Sequence, residues 1–266
     1  MSASKELDQF YTSAPVAKEC WLALKPLLPK GPTTFLEPSA GIGAFLDLMP
    51  KARRLGLDLE PKHPEVLKMD FFEFSERFPI AGQVITVGNP PFGKNASVAV
   101  RFFNHPATFS EIIAFIVPKT FRKASLQKRL SADFHLLQDI DLPQNAFEFE
   151  GVPYDVPCCF QVWHRTDSPR IHKDTALTHP DFSFVGKSEA DFAIRRIGGR
   201  AGAVIEDFAS YSEQSHYYIK AHRPVAHVKS ILREADWSEA RENNAGNPSI
   251  SKRELVSGYV RQAAQR

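Results

Sequence analysis

The sequence has few of the features that mark secreted or metal-centred proteins. Its 266 residues include only three cysteines, of which Cys158 and Cys159 are adjacent and Cys20 is distant. This spacing supports neither a disulfide framework nor a zinc site. The nine histidines are scattered, with no pair four residues apart beside a carboxylate. We therefore predict no metal site.

Long apolar runs are also missing. The first residues, Met1 to Asp8, are polar and lack the apolar stretch of a signal peptide. We therefore expect neither secretion nor a membrane-spanning helix. The three cysteines show no disulfide pattern and are best explained as reduced thiols, so we expect a cytoplasmic location.

A strong charge of one sign is absent as well, since the formal net charge is +2. The balance is nevertheless uneven along the chain. Residues 168–266 hold 15 basic and 12 acidic side chains, whereas residues 1–167 hold 18 and 19. This surplus is a weak indication of a polyanionic partner, because charges are often only a solvated surface.

Short apolar runs alternate with helix-like segments between about residues 14 and 164. Such alternation predicts an α/β fold, with a Rossmann-like, seven-stranded, mostly parallel sheet and helices on both faces. The last two strands have no helix between them, so we expect an antiparallel pair at the sheet edge. The predicted strands are Thr33 to Leu36, Arg54 to Leu59, Val66 to Met69, Gln83 to Val87, Glu111 to Val117, Leu136 to Leu142 and Val156 to Trp163. The predicted helices cover 14–28, 43–49, 95–104 and 119–131.

The composition changes after Trp163. Residues 165–180 are rich in Pro, Asp, Thr and His and are predicted to form a linker. Short strand-like segments at 191–197, 203–208 and 216–219 follow, and then helix candidates at 223–234 and 251–264. We predict two domains, 1–166 and 167–266, of which the second is a small α+β module.

A glycine-containing loop follows the first strand. Gly41 and Gly43 have no Cβ and allow close approach of a ligand to the backbone. The third glycine of a dinucleotide fingerprint is missing, which disfavours hydride transfer. Glu37 would repel a phosphate and attract an ammonium group, so the loop favours a zwitterionic or cationic nucleoside.

Acidic residues stand at the ends of the next two strands. Asp58 lies about 20 residues beyond the glycines, where an acid can hold ribose hydroxyls. Asp70 can accept from an adenine amino group, and Phe71 can pack on the ring. The alternative is that these acids only cap the turns that follow.

The segment Asn89-Pro90-Pro91-Phe92 is the most informative in the chain. It follows the apolar run Val84 to Val87, so it lies where a strand leaves the sheet and where ligands bind in open α/β sheets. Two prolines supply no backbone donor and keep the chain extended. An amide, an outward carbonyl and an aromatic ring suit a planar ring that bears an amino group, although a proline-rich turn with a buried Phe is the alternative.

Taken together, these residues resemble the S-adenosylmethionine-dependent amino-methyltransferases, the adenine-N6 and cytosine-N4 methylases of DNA. The resemblance covers roughly residues 7–164 and includes the segment Asp8 to Thr12, which is similar to the family's N-terminal cofactor motif. It implies S-adenosyl-L-methionine as the cofactor and a C-terminal substrate-recognition module. The implied cofactor-binding residues are Phe10, Tyr11, Thr12, Glu37, Ser39, Gly41, Gly43, Asp58, Asp70 and Phe71.

The resemblance also implies a catalytic role for Asn89, Pro90, Pro91 and Phe92, in the Asn form more typical of adenine enzymes. The Asn89 side-chain oxygen and the Pro90 carbonyl would accept from the target amine, and Phe92 would stack on the base. Phe149 is a candidate for a second stacking face, unless either ring is simply part of the core.

The substrate stays open between three classes. We favour adenine-N6 methylation of a nucleic acid, with DNA ahead of RNA; the alternatives are methylation of a protein glutamine amide and a binding module that has lost its chemistry. Glutamine enzymes typically have Tyr at the fourth motif position, which counts against that reading. The sequence makes no prediction of oligomeric state. Candidate phosphate contacts are Lys119, Arg122, Lys123, Lys128, Arg129, Arg195, Arg196, Arg200 and Arg223.

Overall fold

A seven-stranded sheet organises the first part of the chain. This computed structural model describes residues 10–75, 82–149, 151–171, 176–244 and 246–266. The strands of the first part are β1 (Tyr11–Thr12), β2 (Thr33–Pro38), β3 (Arg54–Asp58), β4 (Val66–Lys68), β5 (Gln83–Gly88), β6 (Ile112–Pro118), β7 (Phe134–Asp141), β8 (Phe147–Phe149), β9 (Val152–Tyr154) and β10 (Cys158–Arg165). In the seven-stranded sheet the spatial order is β4-β3-β2-β5-β6-β10-β7. All neighbouring pairs are parallel except those of β10, which is antiparallel to both β6 and β7. The predicted mostly parallel sheet with an antiparallel edge pair is confirmed.

Both faces of this sheet are buried. Along β6, Ile112, Ala114 and Ile116 enter one apolar cluster, whereas Ile113 and its alternate neighbours enter the other. Helix α1 (Ala14–Leu24) packs in the first cluster and α2 (Ser97–Asn104) in the second. A strand covered on both sides must be apolar throughout, which explains the continuous run at 112–117.

The strand order reverses between β2 and β5. From β2 the chain moves outward to β3 and β4, and it then returns to form β5 on the other side of β2. Loops that leave the carboxyl ends of β2 and β5 therefore diverge and open a crevice at the switch point. The glycine loop follows β2 and Asn89 follows β5, so the topology places both beside this crevice.

A separate three-stranded sheet joins distant parts of the chain. Strand β1 pairs with β8 in antiparallel register, with Tyr11 opposite Glu148, and β8 pairs with β9. This sheet was not predicted from the sequence, because strands of two or three residues have too little alternation of polar and apolar residues to be recognised. The pairing fixes the segment around Tyr11 against the connection between β7 and β10.

Two predicted helices are wrong in form. The stretch 43–49 contains only a 3₁₀ turn, Leu46–Leu48, before Pro50, which cannot continue a helix. The stretch 119–131 is divided into a 3₁₀ turn, Lys119–Arg122, and a short helix α3 (Ala124–Gln127), because Lys123 has an extended backbone (φ −72°, ψ 131°). The turn Lys119–Arg122 directly follows strand β6.

The chain divides into two units, Met1–His172 and Lys173–Arg266. The elements of the second unit are β11 (Phe182–Val185), β12 (Phe192–Arg195), β13 (Val204–Ile205), β14 (His216–Ala221), α4 (Val225–Glu234), α5 (Ser238–Glu242) and α6 (Lys252–Ala263). The strands form an antiparallel sheet of spatial order β11-β14-β12-β13. The helices pack with this sheet around a core that includes Trp237 and Tyr259, as expected for an α+β module. Strand β11 and helix α5 were not predicted.

None of the helices in the described ranges combines the length and the apolar character that crossing a bilayer requires.

Candidate active site

A cavity of about 430 Å³ opens at the carboxyl ends of β2, β3 and β5. The topology brings together residues that lie up to 92 positions apart in the chain, from Phe10 to Phe102. Most of the predicted cofactor and catalytic residues line it, namely Phe10, Tyr11, Ser39, Gly41, Asp58, Asp70, Phe71, Asn89 and Pro91.

The glycine loop forms the floor of this cavity beneath Tyr11. A Cβ on Gly41 would lie 2.8 Å from Cε1 of Tyr11, and Gly41 has a positive φ of 50°. Ser39 also has a left-handed backbone, with φ 55°. Gly43 differs, because a Cβ there would meet His63 at 2.9 Å, and Gly43 does not line the cavity. Gly41 thus allows the Tyr11 ring to pack on the loop at the cavity, whereas Gly43 allows packing against His63.

Glu37 is turned into the loop rather than towards the cavity. Its side chain is 2% exposed, and its carboxylate oxygens accept from the backbone N–H groups of Leu46 at 2.6 Å and Phe45 at 3.4 Å. Burial raises the pKa of Glu37 to about 8, against the lowering effect of these two hydrogen bonds. Its observed contacts shape the turn after the glycines, so its predicted contact with an ammonium group stays a prediction.

An acidic wall stands beside Tyr11. Asp58 accepts from the N–H of Gly41 at 2.8 Å and from the N–H of Glu60 at 2.7 Å. Burial raises the pKa of the Tyr11 phenol, with further contributions from the charges of Asp58 and Glu60. Carboxylates next to an exposed Leu59 (56% exposed) can accept hydroxyl donors while the leucine covers a flat apolar face.

The opposite wall is aromatic. Asp70 accepts from the N–H of Phe72 at 2.9 Å and so caps the turn that follows β4, which is the structural alternative to a ligand role. Phe71 is 3% exposed, and its ring packs 5.2 Å from that of Phe102. The Arg101 guanidinium lies 4.3 Å from the centre of the Phe72 ring. This wall suits a planar apolar group.

Asn89 carries an oxygen without a partner. Its Nδ2 donates to the backbone carbonyl of Phe10 at 2.9 Å. A carbonyl can only accept, so the NH₂ end of the amide must face Phe10 and the orientation of the amide is determined. The other end, Oδ1, is buried and has no hydrogen-bond partner within the described ranges. Buried acceptors are almost always paired in folded proteins, so this oxygen, on a residue of the cavity wall, still lacks a donor.

The remaining predicted residues lie around the cavity rather than on its wall. Pro90 is buried, and Phe92 is partly buried between both apolar clusters, edge-to-face with Phe147 at 6.5 Å. Phe149 packs 5.4 Å from Phe10. Thr12 is 4% exposed, and its Oγ1 lacks a partner in the part of the chain that the structure describes. The stacking roles of Phe92 and Phe149 stay predictions.

The predicted phosphate contacts near the sheet have partners within the protein. Lys119 donates to Asp141 at 2.9 Å, and Arg122 donates through Nε to both oxygens of Asp139 at 3.0 and 3.1 Å. Arg122 also pairs with Asp141 at 2.5 Å. These ion pairs raise the pKa of Arg122 and lower that of Asp141. They account for both cations without a phosphate.

Two arginines of the second unit, Arg195 and Arg223, also have partners within the protein, whereas the buried Nε of Arg196 has none among the described residues. Arg195 donates to the Ile197 carbonyl at 3.1 Å, and Arg196 lies 5.1 Å from the centre of the Tyr217 ring. Arg223 pairs with Asp181 at 3.5 Å. Lys123 and Lys128 also have interactions within the protein. Arg129 and Arg200 are exposed.

Sequence reasoning missed half of the cavity wall. On α2, Val98, Arg101 and Phe102 follow a helical spacing of three and four residues, which marks one face of a helix. Phe72 directly follows Phe71, and Glu60 lies two residues after Asp58; the motifs identified both Phe71 and Asp58. These two signals could have extended the prediction. The missed residues are Leu57, Leu59, Glu60, Met69, Phe72, Gly93, Val98, Arg101 and Phe102.

Comparisons with known proteins leave the family open. No protein-family model and no curated protein match the chain. A solved structure from Pyrococcus horikoshii, provisionally described as an RNA methyltransferase, shares 17% identity at a TM-score of 0.45, over 62% of this chain and 90% of that chain. A type I restriction-modification methyltransferase subunit from Streptococcus thermophilus shares 16% at 0.42, over 60% and 45%.

A third solved structure is that of an enzyme named for a different class of substrate. Magnesium protoporphyrin IX methyltransferase from Synechocystis PCC 6803, with bound S-adenosylmethionine, shares 11% identity at a TM-score of 0.38, over 57% of this chain and 79% of that chain. At these identities and scores the likenesses assign neither a family nor a substrate to this chain.

Proposed function

We propose that this chain is an S-adenosylmethionine-dependent methyltransferase that modifies the exocyclic N6 amine of adenine in a nucleic acid, most readily DNA. The observation that carries the proposal is the unpartnered Oδ1 of Asn89, a residue of the cavity wall. Most of the residues named by the family resemblance line the same cavity.

The cavity residues fit the cofactor. A volume of about 430 Å³ is in the range of small-molecule sites. Asp58 and Glu60 would accept from ribose hydroxyls, and Phe71 and Phe72 would face the adenine ring. Thr12, whose buried Oγ1 lacks a described partner, would contact the polar methionine end. When bound, S-adenosylmethionine would supply an electrophilic methyl group, whose bond to sulfur breaks as the bond to the amine nitrogen forms and leaves its electron pair on sulfur.

Asn89 and Pro90 would activate the target amine. An aromatic amine is a poor nucleophile because its lone pair is delocalised into the ring. Acceptance of its two N–H bonds by Asn89 Oδ1 and the Pro90 carbonyl favours a pyramidal nitrogen and stabilises the positive charge that develops. Fixed dipoles aimed at developing charge are usually the largest catalytic term. The proton that the methylated amine loses passes to water.

The partners of the basic residues bear on the form of the nucleic acid. A base within a duplex must be flipped out, at a cost of a few kcal/mol, before it can enter the site. Several cations that were predicted to hold the strand are already paired with acids. This observation favours, as a second candidate, a target adenine that is already unpaired, as in single-stranded RNA. We assign the 167–266 module to substrate recognition.

The test is transfer of labelled methyl groups to duplex DNA, single-stranded DNA, RNA and a protein lysate. We expect label in N6-methyladenine of a nucleic acid. Label in glutamine would instead support protein methylation, and absence of label from every substrate, with cofactor binding intact by calorimetry, would contradict the enzymatic proposal.

A further inference from the structure

The Phe10 carbonyl is the group that fixes the direction of the Asn89 amide. Phe10 and Asn89 are 79 positions apart in the chain. Nδ2 of Asn89 donates to the Phe10 carbonyl, whereas Oδ1 has no partner among the described residues. If the amide were turned by half a rotation, Oδ1 would face another acceptor, and the NH₂ group would take the place of the unpartnered oxygen. Without the carbonyl, the two orientations would differ little in energy.

The Phe10 backbone is in turn held by the hairpin of β8 and β9. The Phe10 ring stacks on Tyr154 with a centroid distance of 4.8 Å and an interplanar angle of 11°. Phe149 packs against both rings, 5.4 Å from Phe10 and 6.0 Å from Tyr154. The next residue, Tyr11, pairs with Glu148 in the β1–β8 ladder. Each contact joins Phe10 or the residue that follows it to the same hairpin.

We propose that Phe10, Phe149 and Tyr154 are positioning residues: their ring contacts hold the Phe10 carbonyl in place, and this carbonyl keeps Asn89 Oδ1 directed at the target amine. This inference rests on the proposed function and deepens it. It gives the aromatic residues of the hairpin a role other than stacking on the substrate base. Tyr154, which no motif identified, becomes part of the site.

The two roles predict different kinetics. A ring that stacks on the base contributes to binding of the nucleic acid, so its loss raises KM. A ring that positions Asn89 contributes only when the amine reacts, so its loss lowers kcat and leaves KM nearly unchanged. A misplacement of about 1 Å can reduce a rate about 100-fold.

The experiment compares Tyr154→Leu, Tyr154→Phe and Val152→Ala. Tyr154→Leu removes the stacked ring, Tyr154→Phe retains it, and Val152, 63% exposed on the same hairpin, is the matched control. We expect kcat of Tyr154→Leu to fall about 10- to 100-fold with both KM values within about twofold, and the other two variants to resemble the wild type. A raised KM for the nucleic acid with unchanged kcat would overturn the proposal.

A second arm tests whether the effect passes through Asn89. In an Asn89→Ala background, Tyr154→Leu should cause no further loss of the residual rate, because the group that it positions is already gone. An equal loss in both backgrounds would show that Tyr154 acts elsewhere and would overturn the proposal.

A third arm does not need turnover, so it separates this inference from the proposed function. The side-chain amide protons of Asn89 are followed by NMR in the wild type and the variants. We expect the hydrogen-bonded proton to be protected from exchange in the wild type and in Val152→Ala and to lose that protection in Tyr154→Leu. Unchanged protection would overturn the positioning role whether or not the protein methylates adenine. If Tyr154→Leu does not fold, replacing the Phe10–Tyr11 amide by an ester weakens the same carbonyl without changing a ring, and the same outcomes apply.

Discussion

The cavity and the basic residues near the sheet differ in how completely their polar groups are satisfied. Oδ1 of Asn89, a residue of the cavity wall, and Oγ1 of Thr12, the neighbour of Tyr11 in the chain, are buried without partners among the described residues. Beside β7, Lys119 and Arg122 are paired with Asp139 and Asp141. Buried polar groups are almost always paired in folded proteins, so an unpaired oxygen is the stronger sign of a ligand than a cation that already has its counter-ion.

The largest expected effect tests the unpartnered oxygen. Asn89→Ala removes the acceptor, and methyl transfer should fall about 100- to 1,000-fold, the usual loss for one group of this kind. The affinity for S-adenosylmethionine by calorimetry should stay near that of the wild type. Loss of cofactor affinity together with unfolding would mean that Asn89 is structural and that the contrast with the ion pairs has no functional meaning.

The next effect concerns Glu37, a buried residue whose side-chain oxygens accept hydrogen bonds from two backbone N–H groups. Its folded-state pKa is raised from 4.5 to about 8, so its stabilising contribution is complete below about pH 4.5 and is lost as the pH rises towards 8. The free energy of unfolding of the wild type, relative to Glu37→Gln, should therefore fall between pH 5 and pH 8, with a slope of at most about 1.4 kcal/mol per pH unit. Urea unfolding at several pH values measures this slope, and a difference that does not depend on pH would contradict it.

A smaller effect is expected at the cavity floor. Gly41→Ala places a Cβ against the Tyr11 ring and costs about 1–2 kcal/mol of backbone strain. Cofactor affinity should fall about tenfold, which corresponds to about 1.4 kcal/mol. Gly186→Ala, with nothing within 4 Å of its Cβ and no positive φ, is the control. Equal affinities for both variants in calorimetry would show that the loop does not approach the ligand.

The smallest effect on binding is expected at Arg122. Because its guanidinium is committed to Asp139 and Asp141, Arg122→Ala should destabilise the fold by about 1–3 kcal/mol and change nucleic-acid affinity less than about twofold. The exposed Arg129 and Arg200 are the matched cations for comparison. If Arg122→Ala instead caused a large loss of nucleic-acid affinity and a weaker salt dependence of binding, Arg122 would contact a phosphate despite its ion pairs. The contrast between paired and unpaired polar groups would then not indicate where ligands bind.

The sequence alone determined the sheet and half of the cavity wall. Continuous apolar runs such as 112–117 predict strands that are buried on both faces, and the residues at strand ends must meet at one edge of a parallel sheet. For this reason the sequence alone predicts that the glycine loop, Asp58, Asp70 and Asn89 belong to one site. The local signal was weaker where a turn replaced a helix, as at 43–49.

Only the tertiary structure decided which of these groups have partners. The amide of Asn89 takes its direction from Phe10, a contact over 79 residues, and Arg122 finds Asp139 across the sheet edge. Glu37, which the sequence predicts to contact an ammonium group, accepts hydrogen bonds from its own loop. Sequence patterns report propensity and burial of nearby residues, whereas hydrogen-bond partners depend on which distant backbone atoms the fold brings within about 3 Å.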